Sequence, residues 1–143
     1  GSSVSNEGSE AAPAAAARVL VIDDSNTIRR SAEIFLRQGG HEVPLAEDGF
    51  DALAKVNDHD PELIFCDILM PRLDGYQTCA IIKRNPKFSH VPVIMLSSKD
   101  GLFDKARGRM VGSEDYLTKP FTKEQLLRAV QQFSKRVEAP AAA

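Results

Sequence analysis

Short runs of consecutive apolar residues alternate along this chain with stretches in which apolar residues recur every three or four positions. Arg18-Val19-Leu20-Val21-Ile22 is the first run and predicts a buried strand. Ser25 then caps a predicted helix to about Gln38, with Ile28, Ala32, Phe35 and Leu36 on one face and Gly39-Gly40 as its stop. His41 to Leu45 reads as a weaker strand, and Pro44 marks it as an edge. Asp48 or Gly49 opens a second helix through Ala52, Leu53 and Val56. Leu63-Ile64-Phe65-Cys66 is the most apolar run and the expected central strand. A third helix covers about Gly75 to Arg84, before Asn85-Pro86. Val91 to Leu96 predicts a fourth strand, about Gly101 to Met110 a fourth helix, and Asp115 to Lys119 a short fifth strand. Thr122 caps a last helix ending near Val137. Strict alternation of strand and helix implies parallel strands joined by right-handed crossovers. The expected fold is therefore α/β, a doubly wound five-stranded parallel sheet flanked by five helices. Continuous rather than alternating apolar runs agree with strands covered on both faces.

Composition narrows the class. The chain has 143 residues, 43% hydrophobic and 27% charged, with a formal net charge of -2. That is a globular profile, and the near-neutral balance argues against a broad nucleic-acid surface. No apolar run approaches the roughly 18 residues of a membrane helix, and no long apolar segment near the start suggests a signal peptide. Cys66 and Cys79 lack the spacing of a disulfide framework or zinc site, so they are expected to be reduced thiols in a cytoplasmic protein. Residues 1–17 and 138–143 are Ala-, Pro- and Ser-rich without a period and are expected to be disordered tails around a domain at 18–137, neither tail holding an output domain.

Candidate chemistry gathers at the strand ends, where ligands bind in an open parallel sheet. Asp23 and Asp24 follow the first strand, Asp67 the third, Ser97 and Ser98 the fourth, and Lys119 the fifth. Each has an ordinary alternative: helix capping for Asp23 and Asp24, local backbone hydrogen bonds for Asp67, a loop or cap hydroxyl for Ser97, and solvation for Lys119. Tyr116, on the last strand, is by the same standard an aromatic filler. Three carboxylates in one poorly hydrated pocket repel one another unless a cation offsets them. All-oxygen ligands without His or Cys select Mg²⁺ or another hard cation.

Asp23-Asp24, then Asp67-Ile68-Leu69-Met70-Pro71 with Asp74-Gly75, then Ser97, then Lys119-Pro120-Phe121, in this order and at strand ends, resemble the bacterial response-regulator receiver domain. The match spans about Arg18 to Val137. Pro71 to Cys79 and Ser97 to Lys105 resemble the stand-alone regulators of type IV pilus chemosensory systems, which control twitching motility. The resemblance implies a flavodoxin-like receiver fold with Asp67 as phosphoacceptor. It implies that Asp24, Asp67 and the backbone carbonyl of Leu69 bind Mg²⁺ directly, and Asp23 through a water. Lys119 would pair with Asp67 and then with the phosphoryl group, Ser97 would hydrogen-bond that group, and Tyr116 would change rotamer with it. A cis Lys119–Pro120 bond is implied too.

The expected partners are a histidine kinase or phosphotransfer domain as donor and a pilus or motility protein downstream, with no nucleic acid, no membrane and a monomeric chain. The chain is expected not to be an enzyme beyond phosphorylating itself from a donor and dephosphorylating itself. The main rival is a pseudo-receiver that binds partners without phosphorylation, whose sign would be a missing key residue. A haloacid-dehalogenase-type phosphatase needs a second Asp where Leu69 stands. A nucleotide-binding domain would need a Walker loop or dinucleotide fingerprint. A flavin binder would want a Ser-, Thr- and Gly-rich phosphate loop after the first strand, where this chain has carboxylates.

Overall fold

The computed structural model describes residues 16–98 and 104–142, with side chains through 133. Within them the elements run β1 (Val19–Ile22), α1 (Asn26–Gln38), β2 (Leu45–Ala46), α2 (Gly49–His59), β3 (Leu63–Asp67), α3 (Gly75–Arg84), β4 (Val93–Ser97), α4 (Lys105–Val111), β5 (Asp115–Thr118) and α5 (Lys123–Ala142). All strand pairs are parallel and the sheet order is β2-β1-β3-β4-β5. The chain winds outward to β2 from β1 and the opposite way from β3, so the topological switch lies between β1 and β3.

Alternate residues of each central strand feed opposite layers. Leu20, Ile22, Ile64, Cys66, Val93 and Met95 pack with Ala52 and Val56 of α2 and with Tyr76, Cys79 and Ile82 of α3. Val19, Val21, Leu63, Phe65, Ile94 and Leu96 pack with Ala32 and Leu36 of α1 and with Leu126, Ala129, Val130 and Phe133 of α5. Burying each Val, Leu, Ile, Phe or Met among them stabilises the fold by roughly 1.5–3 kcal/mol. Every residue of β1, β3 and β4 is buried, as continuous apolar runs predict, whereas β5 at the sheet edge is only partly covered.

Three boundaries depart from the sequence reading. The second strand is Leu45–Ala46 rather than His41 to Leu45. Pro44 has no N–H, and its stretch contributes carbonyls instead: Glu42 and Pro44 accept from Val19 and Val21 at 2.8 and 3.1 Å. Ala17, expected in the N-terminal tail, is buried, and its N–H donates to His41 Nδ1 at 3.1 Å, so the folded unit begins before Arg18. Residues 1–15 of that tail lie outside the described residues, as do 101–103 at the expected start of the fourth helix. The expected C-terminal tail is helical through Ala142. Alanine has the highest helix propensity, and Pro140 so near the end removes only one hydrogen bond.

Local capping fixes where the helices begin. Ser25 accepts from Ile28 N, Asp48 from Asp51 N, and Asp104 from Arg107 N. Asp74 and Gln77 form a reciprocal capping box on α3, and Thr122 and Gln125 exchange the same pair of bonds before α5. Each cap sits at the carboxyl end of the sheet and orients the loop that brings a polar side chain to it.

Candidate functional site

Three carboxylates converge beyond the ends of β1 and β3. Asp23, Asp24 and Asp67 each offer an oxygen within 4.8 Å of the others. Registry explains the meeting: Ile22 pairs with Cys66, so the residues following them leave adjacent strands at one level. Asp23 is fully buried and Asp67 nearly so, while Asp24 is exposed. Lys119 reaches in from the end of β5, its Nζ donating to Asp23 Oδ2 at 3.1 Å and to Asp67 Oδ1 at 3.0 Å. The other oxygen of Asp23 accepts the backbone N–H of Ser25 at 2.9 Å. Asp23 thus serves helix α1 and the cluster together. The Lys119–Pro120 peptide is cis.

One ammonium faces three carboxylates, and the imbalance shows in the titration. Burial, reinforced by the charge of Asp23, pushes the Asp67 carboxyl from its ordinary 3.8 up to about 7, against the pull of Lys119. Burial would lower Lys119, but its hydrogen bond to Asp67 and the charge of Asp23 outweigh it and raise its pKa. Lysine is therefore held charged, and the remaining negative charge calls for a second cation. The donor set is all oxygen and partly open through Asp24, which fits a hard divalent cation such as Mg²⁺.

Beneath Asp67 the backbone is tightly packed. A Cβ on Gly75 would lie 2.2 Å from the Asp67 carbonyl oxygen and 2.8 Å from Ile68 Cα, so only glycine fits at the start of α3. Gly75 N–H also donates to Ile68 O at 2.8 Å. Between Asp67 and Gly75 the chain reverses at Arg72, which has φ +70°, and Leu73 N–H donates to Pro71 O at 2.7 Å. That is a γ-turn of the positive-φ kind, rare and strained for a residue with a side chain.

The other sequence candidates sit as follows. Leu69 lies in this loop with its side chain exposed. Ser97 ends β4 and is buried; its hydroxyl donates to the Ser98 carbonyl at 3.3 Å, and its own carbonyl accepts Lys119 N–H at 2.7 Å. Tyr116 lies on β5 opposite Met95, half-buried against the α2–α3 layer, with Lys105 Nζ 5.8 Å from its ring centre. The fold therefore brings Asp23, Asp24, Asp67 and Lys119 into one cluster and leaves the Ser97 hydroxyl bonded to its own loop. Cys66 and Cys79 are free and buried, and burial pushes both thiols up, Cys79 to about 12. Both are poor nucleophiles.

Sequence reasoning gave no role to Gly75 or Arg72, nor to the contact between α3 and α4. There the Tyr76 hydroxyl accepts Asp104 N–H at 3.0 Å, and Arg107 stacks 4.4 Å from the Tyr76 ring centre. A glycine directly after an Asp cap was a readable sign of close approach. Arginine in a left-handed conformation carries no sequence sign.

Residues 19–131 match the model of the response regulator receiver domain family. Protein PilG of Pseudomonas aeruginosa is 67% identical over 114 residues, covering 80% of this chain and 84% of that protein. Protein PilH of the same organism is 38% identical, covering 80% of this chain and 94% of that one. Among solved structures, the Vibrio cholerae chemotaxis protein CheY4 superimposes with a TM-score of 0.78 at 33% identity, over 82% of this chain and 98% of that chain.

Proposed function

The chain belongs to the response-regulator receiver family, and from that premise we propose that it is a phosphorylation switch whose acceptor is Asp67. The observation that carries the reading is Lys119, bonded at once to Asp23 and Asp67 inside a cluster of three carboxylates. Such charge density is unfavourable for a fold and useful for receiving a phosphoryl group. The donor would be a phosphohistidine on a histidine kinase or phosphotransfer domain. An Asp67 carboxylate oxygen attacks phosphorus, the N–P bond breaks with its electron pair returning to the imidazole, and an acyl phosphate forms on Asp67.

Asp24, Asp67 and the Leu69 carbonyl would hold Mg²⁺, with Asp23 acting through a water. When bound, the ion supplies positive charge that lowers the barrier between anionic donor and anionic acceptor. Lys119 neutralises the acceptor before transfer and a phosphoryl oxygen after it. Ser97 exchanges its 3.3 Å bond to Ser98 O for a phosphoryl oxygen, which pulls on the loop after β4. Tyr116 on the thinly covered β5 then changes rotamer and alters the surface shown to a partner. Water attack on the acyl phosphate would end the signal.

The 67% identity to PilG and the pilus-type motifs support a downstream pilus or motility protein as recipient. We place the activity in the cytoplasm, on a monomer without nucleic acid or membrane. The test is labelling by a radioactive small-molecule phosphodonor, such as acetyl phosphate, with MgCl₂. Asp67→Asn should abolish the label, and undiminished labelling would overturn the assignment.

A further inference from the structure

The reversal at Arg72 is held from outside. Its guanidinium Nη2 pairs with Asp48 Oδ2 at 2.9 Å, across 24 residues of sequence. The same group lies 5.3 Å from the centre of the Phe50 ring, which is itself exposed. Between those two residues, Gly49 admits the neighbouring Leu73: a Cβ at 49 would lie 2.7 Å from Leu73 Cδ2 and 3.0 Å from Leu73 Cβ. Asp48, Gly49 and Phe50 at the start of α2 therefore grip both Arg72 and Leu73. A strained φ persists only where surrounding structure over-determines it, and this grip is what does so.

We propose that Arg72 is a positioning residue for the divalent cation: clamped to α2, it fixes the turn that sets the Leu69 carbonyl and the Gly75 contact relative to Asp67. The inference rests on the reading of the carboxylate cluster as a Mg²⁺ site. Its sign distinguishes it from plain electrostatics. A bystander guanidinium near an acidic cluster repels a cation, so its removal would tighten Mg²⁺ binding. A clamp preorganises the ligands, so its removal weakens binding.

Titration of the whole chain with MgCl₂, followed by amide NMR shifts of Ile68 and Gly75, reads binding without any phosphoryl chemistry. Arg72→Ala should weaken Mg²⁺ about tenfold, because alanine tolerates neither the turn nor the loss of the clamp. Arg72→Gly, which loses the clamp but adopts positive φ without strain, should weaken binding less than Arg72→Ala, by about threefold. Asp48→Asn keeps the α2 cap but removes the ionic partner, and should weaken binding about threefold. The Arg72 side chain is 66% exposed, so Arg72→Ala should melt within about 3 °C of wild type. Binding by Arg72→Ala or Arg72→Gly as tight as wild type, or a much larger loss of melting temperature, would each overturn the positioning role alone. A wild-type chain that bound no Mg²⁺ would overturn the metal-site reading and this inference with it.

Discussion

The centre of the sheet and its β5 edge are built to opposite standards. β1, β3 and β4 are buried at every residue, and the carboxylate cluster stands at the ends of two of them. β5 and α4, on the far side of β4, are short and half-covered; Met110 on α4 is 85% exposed. The central side chains are packed on both faces of the sheet, which holds the buried Asp23 and Asp67 at their spacing despite mutual repulsion. The edge has few packed contacts to lose, and elements with few buried contacts are those that rearrange at low free-energy cost. The division places the charge where the structure is fully packed and leaves the lightly held elements at the edge.

Gly75→Ala would break the stiff side most severely. The added methyl overlaps backbone rather than a pliable side chain, so a loss of about 3 kcal/mol or more is expected, together with a fall in melting temperature of over about 10 °C. A variant as stable as wild type would mean that the floor under Asp67 yields, and the contrast would collapse. Asp67→Asn tests the stored repulsion more gently. In metal-free protein the folded carboxyl keeps its proton to about pH 7, the unfolded one only to about 3.8. Wild type therefore loses stability as pH rises from about 4 to about 7, and the uncharged amide does not. The variant should gain about 1–2 kcal/mol over wild type at pH 8 after allowing for screening, and almost nothing near pH 4. Thermal melts at the two pH values, with and without MgCl₂, measure it; Mg²⁺ should raise the wild type toward the variant. Smallest is Met110→Ser on the exposed edge, expected within about 0.5 kcal/mol of wild type by denaturant titration. A larger loss would show that the edge is packed more firmly than its exposure implies.

Much of this division was legible in the residues. Runs such as Leu63 to Cys66 are apolar without alternation because the sheet is covered on both faces, and that pattern needs no tertiary knowledge. The strand-end positions of Asp23, Asp24, Asp67 and Lys119 followed from the same runs. What remained hidden depended on contacts distant in sequence. Ala17 reads as tail, yet His41 and Glu42 pair with its backbone. Pro44 suppresses the regular ladder expected over His41 to Leu45 but leaves its carbonyl in use. Arg72 takes a conformation that propensity assigns to glycine or asparagine, because Asp48 and Phe50 lie beside it. The hydroxyl of Ser97 bonds its own loop, a choice among partners that strand position does not determine.

Lys119 lies 96 residues after Asp23 and 52 after Asp67. During synthesis all three carboxylates leave the ribosome before the lysine that binds two of them. A chain cut before Lys119 accordingly keeps all three carboxylates without the ammonium that bonds Asp23 and Asp67, and only a cation from outside can then offset their repulsion.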